Sequence, residues 1–116
     1  MTDELLAPNA VLQGADVVLA DNPLAPEDVV SGSPRSGIVS LTAVGGAAVG
    51  VWELGVGVVQ DTEVDEVFVV LSGAATVDFA DGTPSLELRA GSIGRLAAGA
   101  RTTWTVRETL RKVYVA

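Results

Sequence analysis

The chain has 116 residues, with seven basic and fifteen acidic side chains, no histidine and no cysteine. Without imidazole or thiol groups, zinc fingers, haem, iron–sulfur clusters, thiol redox chemistry and histidine-based catalytic triads are excluded. The net charge of −8 disfavours nucleic-acid binding, which depends on basic side chains, and favours a cationic or neutral partner. The length is typical of one domain that buries its own core.

The N-terminus and the uncharged segments predict neither export nor membrane insertion. The chain starts with Thr2-Asp3-Glu4, which lacks the basic start and apolar core of a signal peptide. The longest uncharged stretch, Ile38 to Trp52, contains three glycines and is shorter than the roughly 20 residues that span a bilayer. We therefore expect a cytoplasmic protein that does not bind membranes.

The composition is typical of β-sheet proteins, because valine is the commonest residue and no long segment has helical periodicity. Residues 1–30 differ: three prolines interrupt them, and we predict an extended arm packed on the rest, with a short strand over 15–20 and a helical turn near Pro26. Gly45-Gly46 and Asp81-Gly82 predict tight hairpin turns. The predicted strands are 37–44, 47–54, 66–71, 75–79, 85–89, 93–96, 102–107 and 110–115. Short strands at this spacing indicate a sandwich or barrel over residues 31–116.

Two glycine-containing blocks resemble the conserved blocks of cupins. Glu66 is followed by six residues and Gly73, as at the end of the first cupin block. Gly91 and Gly99 have the separation found in the second block, with Ala97 in place of its proline. The resemblance implies an all-β cupin double-stranded β-helix, a jelly-roll barrel whose mouth holds the ligand. Such cupins are usually dimeric, so a homodimer is expected.

Three further segments resemble small single-domain cupins similar to (S)-ureidoglycine aminohydrolase and to ethanolamine-utilisation cupins. They are the turn at 31–35, the Gly-x-Trp-Glu strand at 50–53, and the C-terminal run 103–114. The C-terminal run matches the pattern Trp-x-Val-x-Glu-x-x-Arg-Lys-x-Tyr and is the most specific of the three.

The histidine metal ligands of cupins are missing from this sequence. The resemblance places two ligand histidines at Gln60 and Thr62 and a third at Thr102, beside the ligand carboxylate of Glu66. Glutamine and threonine oxygens are poor ligands for metals that need imidazole. We therefore expect neither a metal nor another cofactor.

Strand alternation predicts which side chains share the barrel interior with Glu66. Residues two apart lie on the same face of a strand, provided that no bulge intervenes. The predicted ligand pocket consists of Trp52, Gln60, Thr62, Glu66, Phe68, Thr102, Trp104, Lys112 and Tyr114. Trp52 and Trp104 are equally consistent with ordinary core packing, and Lys112 with the protection of an edge strand.

Four acidic side chains, Asp61, Glu63, Asp65 and Glu66, lie close together in the sequence. Carboxylates in such a run could hold a hard cation through oxygen ligands. A run of this kind is more typical of a solvated turn, and strand alternation would direct its members to opposite faces.

The sequence favours a protein that binds a small polar metabolite in the barrel mouth without a histidine-ligated metal. One alternative is a metal-free enzyme that uses Glu66 as general acid or base on a small nitrogenous compound, and another is a carboxylate-only metal hydrolase. Two states of Glu66 are left open: a reactive carboxyl, or a structural ion pair with Lys112.

Overall fold

The computed structural model describes residues 4–116, which form one curled antiparallel sheet. Its nine strands within this range are β1 (Ala20–Asp21), β2 (Val29–Ser31), β3 (Ser36–Val44), β4 (Ala47–Leu54), β5 (Gly57–Thr62), β6 (Glu66–Phe79), β7 (Leu86–Arg89), β8 (Ile93–Leu96) and β9 (Arg101–Val115). Single 3-10 turns lie at Gly14–Asp16 and Pro26–Asp28. No helix within residues 4–116 has the length and hydropathy needed to cross a membrane.

Two long strands, β6 and β9, organise the sheet. They pair from Val67 opposite Val115 to Phe79 opposite Thr102. The first part of β9 also pairs with β5 and the second part with β4. The first part of β6 pairs with β8 and the second part with β7. Each long strand therefore belongs to both halves of the barrel, and the all-β barrel predicted from the sequence is confirmed.

The core is built from side chains on the inner faces of the strands. In β9, for example, Thr102, Trp104 and Val106 are buried and the residues between them are half-buried, as the two-residue period of a strand requires. The buried apolar cluster comprises Leu54, Val59, Phe68, Val70, Ala75, Val77, Leu88, Leu96, Trp104, Val106 and Leu110. Leu24, Trp52, Phe79, Leu86 and Tyr114 are partly buried and pack against this cluster.

The N-terminal segment lies on the barrel through backbone hydrogen bonds. The Leu6 N–H donates to the Leu41 carbonyl at 3.1 Å, and β1 pairs with β3. Arg111 donates through Nη1 to three carbonyls of residues 14, 15 and 17, at 2.9–3.1 Å. Residues 1–3 of the predicted arm lie outside the described range, and the boundary predicted after residue 30 falls within β2.

Several strand predictions differ from the structure. The segment 15–20 is mostly a 3-10 turn and coil before the two-residue β1, and β5 is not predicted by the sequence pattern. The predicted strands 66–71 and 75–79 are one strand, β6, because the ladder shifts register around Gly73 without ending. The strands 102–107 and 110–115 are likewise continuous in β9, which keeps its partners on both sides.

Candidate functional site

A cavity of about 310 Å³ opens beside the buried cluster, next to Trp52, Trp104 and Tyr114. We call it the mouth cavity. Its walls are aromatic and aliphatic, and its polar groups are three carboxylates, one ammonium and two hydroxyls. The lining residues are Ile38, Trp52, Asp61, Thr62, Glu63, Val64, Glu66, Trp104, Lys112, Tyr114 and Ala116.

An ion pair between Glu66 and Lys112 lies on the floor of the mouth cavity. Lys112 Nζ donates to Glu66 Oε2 at 2.6 Å, and the two side chains are only 5% and 11% exposed. The same ammonium lies 4.5, 4.8 and 4.9 Å from the ring centroids of Trp52, Phe68 and Trp104. A carboxylate and three π faces thus replace the hydration of the lysine head group.

The register of β4, β6 and β9 brings these groups together. Lys112 is directly opposite Trp52 on one neighbouring strand and Val70 on the other. Tyr114 is opposite Gly50, where a Cβ atom would overlap the tyrosine hydroxyl and the neighbouring ring carbon. The glycine of the Gly-x-Trp-Glu strand therefore leaves the space in which the Tyr114 ring lies beside the cavity.

Glu63, a member of the acidic run, is a buried carboxylate. Its Oε2 accepts hydrogen bonds from Thr102 Oγ1 at 2.6 Å and from Trp104 Nε1 at 2.9 Å, and the residue is 8% exposed. Backbone bonds to the 99–100 turn hold the loop that carries it: Glu63 N–H donates to Ala100 O, and Gly99 N–H donates to Glu63 O, both at 2.8 Å. These long-range bonds turn Glu63 inward, and no local sequence signal encodes them.

Gln60 does not reach the mouth cavity. β5 pairs with β9 so that Val59 is opposite the buried Trp104, and Gln60 is opposite Thr103 on the outer face. The predicted grouping of Gln60 with Glu66 assumed unbroken alternation, but β5 ends at Thr62 and β6 begins at Glu66. Because a loop separates the two strands, the face of Gln60 in β5 cannot be inferred from the face of Glu66 in β6.

The other predicted pocket residues fall into two groups. Those that line the mouth cavity are Trp52, Thr62, Glu66, Trp104, Lys112 and Tyr114. Phe68 and Thr102 are buried behind its wall, where Phe68 contacts the Lys112 ammonium and Thr102 holds Glu63. Asp65, a member of the acidic run, is turned away from the cavity and accepts a hydrogen bond from Ala98 N–H.

Comparison with known proteins agrees with this architecture. The EutQ-like cupin domain matches residues 41–114, which include the Gly-x-Trp-Glu strand and almost all of β9. The chain belongs to the EutQ-like cupin family. No curated protein matches this cupin significantly.

Solved structures share the fold of this cupin at low sequence identity. An ethanolamine utilization protein Q from Salmonella typhimurium has a TM-score of 0.70 at 21% identity, covering 91% of this chain and 83% of its own. A protein of unknown function from Pseudomonas syringae pv. tomato has a TM-score of 0.74 at 22% identity. The alignment covers 86% of this chain but only 44% of the Pseudomonas protein. EutQ from Clostridium difficile has a TM-score of 0.61 at 17% identity, with coverages of 72% and 62%.

Two side chains at the rim of the cavity have perturbed proton affinities. Partial burial, and then the nearby Glu63 carboxylate, raise the pKa of Asp61 above its usual value. Burial, and then the charge of Glu66, raise the pKa of the Tyr114 phenol. Tyr114 therefore stays a neutral hydroxyl that can donate or accept a hydrogen bond across the physiological pH range.

The residues of this site do not fit the metal that many cupins carry. The one family carboxylate, Glu66, already binds an ammonium, whose positive charge would repel a metal cation at that oxygen. Gln60 lies on the other face, and the hydroxyl of Thr102 donates to Glu63. Within residues 4–116, no three carboxylates are grouped closely enough to share a metal ion.

Proposed function

We propose that this cupin binds a small polar molecule in the mouth cavity, next to the Glu66–Lys112 pair and without a histidine-ligated metal. The observation that carries the proposal is the cavity itself, whose volume of about 310 Å³ is at the lower end of the range for small-molecule sites. Such sites combine apolar walls with a few polar groups that orient the ligand. The mouth cavity has this composition.

The polar groups are held in place before a ligand arrives. Glu66 is fixed by Lys112, and Glu63 is fixed by Thr102 and Trp104. Trp52 and Trp104 also pack edge to face, with their ring centroids 5.5 Å apart. A rigid site loses little side-chain entropy on binding, which favours affinity for a small ligand.

Catalysis by Glu66 is the alternative. A general base must be free to accept a proton from the substrate, whereas Oε2 of Glu66 already accepts a short hydrogen bond from the Lys112 ammonium. An activated nucleophile would be a serine or threonine hydroxyl that is hydrogen-bonded to a base. Among the lining residues described within 4–116, the one such residue is Thr62, and its recorded hydrogen bond is made by the backbone N–H and not by the hydroxyl. The geometry therefore favours binding over chemistry.

Binding can be measured through the tryptophans, because the only two in the chain both line the cavity. Mixtures of small metabolites are added to ¹⁵N-labelled protein, and the two indole N–H signals are recorded. We expect at least one compound to shift both signals saturably.

The control is a variant with a filled cavity. Ile38→Phe adds volume to the cavity wall and should abolish binding. Ile93→Phe makes the same change at a residue that is 76% exposed and outside the cavity, and it should leave binding unchanged. If no metabolite shifts the indole signals, or if both variants bind as the wild type does, the proposed function is wrong.

A further inference from the structure

We infer that the ligand of the mouth cavity is a small organic cation with N–H donors, such as a primary ammonium group, and that Glu63 is the side chain that receives it. This inference rests on the proposed function and specifies the class of ligand. It depends on the charge of the cavity, on the free oxygen of Glu63 and on the way Lys112 is occupied.

The cavity is negatively charged. Asp61, Glu63 and Glu66 line it with carboxylates, and Lys112 supplies the single cationic side chain among the lining residues. With these carboxylates ionised, the cavity carries an excess of two negative charges. In a partly enclosed space this charge attracts a cation and repels an anion.

Within residues 4–116, Glu63 has hydrogen-bond partners on only one of its two carboxylate oxygens. Both hydrogen bonds that Glu63 accepts from residues 4–116 end on Oε2, and the residue as a whole is only 8% exposed to solvent. No fully buried side-chain oxygen or nitrogen in this range lacks a hydrogen bond, so Oε1 must be the accessible oxygen. Since Glu63 lines the mouth cavity, Oε1 is available there to an N–H donor.

Lys112 is poorly placed to receive an anion. Its ammonium is bound to Glu66 and has an aromatic ring on three sides, and its side chain is 5% exposed. A ligand carboxylate would have to compete with Glu66 for this ammonium while lying near the other two carboxylates. The charge pattern therefore selects against anions as well as for cations.

The size of the cavity limits the ligand. At about 30 Å³ for a water-sized group, 310 Å³ accommodates roughly ten non-hydrogen atoms. The ligand is thus a small amine or a related nitrogenous cation, held by Glu63 in a cavity that Trp52 and Trp104 also line.

Three small probes that share a short alkyl chain test the inference: n-propylammonium, propionate and trimethyl(propyl)ammonium. The readout is the indole N–H signal of Trp104, which donates directly to Glu63. We expect n-propylammonium to shift this signal saturably, propionate to leave it unchanged, and the trimethyl compound to bind more weakly because it has no N–H donor.

Two variants with the same charge change separate Glu63 from general electrostatics. Glu63→Gln should weaken n-propylammonium binding about tenfold, the effect of losing a charged acceptor. Glu87→Gln, at an exposed position outside the cavity, should leave it unchanged. If Glu63→Gln does not fold, Thr102→Val, which removes one of the donors to Glu63, should still move the Trp104 signal and reduce affinity.

The outcomes distinguish this inference from the proposed function. Binding of propionate in preference to n-propylammonium would overturn the ligand class while leaving the cavity a binding site. Equal affinity for the trimethyl compound would overturn the role of Glu63 as acceptor. If no probe shifts the indole signals, the inference is wrong, and the metabolite screen decides separately whether the cavity binds any ligand.

Discussion

Lys112 Nζ and Glu66 Oε2 lie 2.6 Å apart at the floor of a cavity, although the two residues are 46 positions apart in the chain. Glu66 is the carboxylate that the cupin resemblance assigns to a metal. Here it binds a cation that is covalently part of the protein.

The first prediction concerns the stability of this pair. Glu66→Gln or Lys112→Met alone should lower the free energy of unfolding by about 3 kcal/mol, because each leaves a buried charge without its partner. The double variant should recover most of the loss. Chemical denaturation of all four proteins measures the coupling, and simple addition of the two losses would show that the pair is not structural.

The matched control for that experiment is the exposed pair of Arg107 and Glu87, 3.3 Å apart with side chains 51% and 69% exposed. Solvent screens such a pair, so Glu87→Gln should cost less than about 1 kcal/mol.

The second prediction concerns alkaline pH. Burial and the Glu66 charge raise the pKa of Tyr114, so the folded protein should keep the phenolic proton at a pH where the unfolded chain has lost it. The free energy of unfolding should therefore decrease as the pH rises above about 10. Tyr114 is the only tyrosine, so the ultraviolet absorbance of tyrosinate reports its titration directly.

Glu66→Gln tests the cause of that shift. Removing the Glu66 charge should move the tyrosinate midpoint to lower pH, whereas Glu87→Gln should not move it. A wild-type midpoint at or below the value of a free tyrosine would contradict the described environment of Tyr114.

The third prediction concerns metal content. Because the donor set around Glu66 does not suit a transition metal, purified protein should contain far less than one equivalent of Fe, Mn, Ni or Zn by elemental analysis. Dialysis against a chelator should leave the melting temperature unchanged. Stoichiometric metal that is lost in Glu66→Ala would refute this expectation.

The fourth prediction concerns the space that Gly50 leaves for Tyr114. Gly50→Ala should cost about 1–3 kcal/mol, because the new methyl group overlaps the tyrosine ring and the Val39 carbonyl. It should also displace the ring from the cavity wall, which the fluorescence of the neighbouring tryptophans can detect. Ser40→Ala, at the exposed residue opposite Gly50, is the control and should change neither property.

The fifth prediction is a homodimer. Aliphatic side chains are exposed in cross-strand pairs on the outer face, where Val67 is opposite Val115 and Val69 is opposite Ile93. The N-terminal arm adds exposed Leu5 and Val11 and half-buried Leu6 and Leu12. Light scattering should therefore give the mass of a dimer, since a second copy would cover these surfaces.

Deletion of residues 1–14 and the Ile93→Glu variant should each weaken association. Val56→Glu, which introduces the same charge at another exposed aliphatic residue, should not weaken association. A full-length monomer at working concentrations would argue against self-association.

Much of the fold is encoded locally and could be predicted from the sequence. The Gly45-Gly46 turn joins β3 to β4 as expected, because the two glycines adopt φ values of 58° and 83° that other residues disfavour. The alternation of Trp104, Val106 and their neighbours marks the inner face of β9. Turn chemistry and two-residue periodicity depend on adjacent residues only, so they are legible without a structure.

The site was decided by tertiary structure. The sequence left open whether Glu66 pairs with Lys112, and strand register answers this by placing Lys112 opposite Trp52 and Val70. Alternation put Gln60 in the pocket and left Glu63 outside. The β5–β9 register instead places Gln60 on the outer face, and backbone bonds between the 63–65 loop and the 99–100 turn direct Glu63 inward. Within a strand, the face on which one side chain lies fixes the faces of the following side chains. A loop breaks this relation, because its conformation depends on hydrogen bonds to residues far away in sequence.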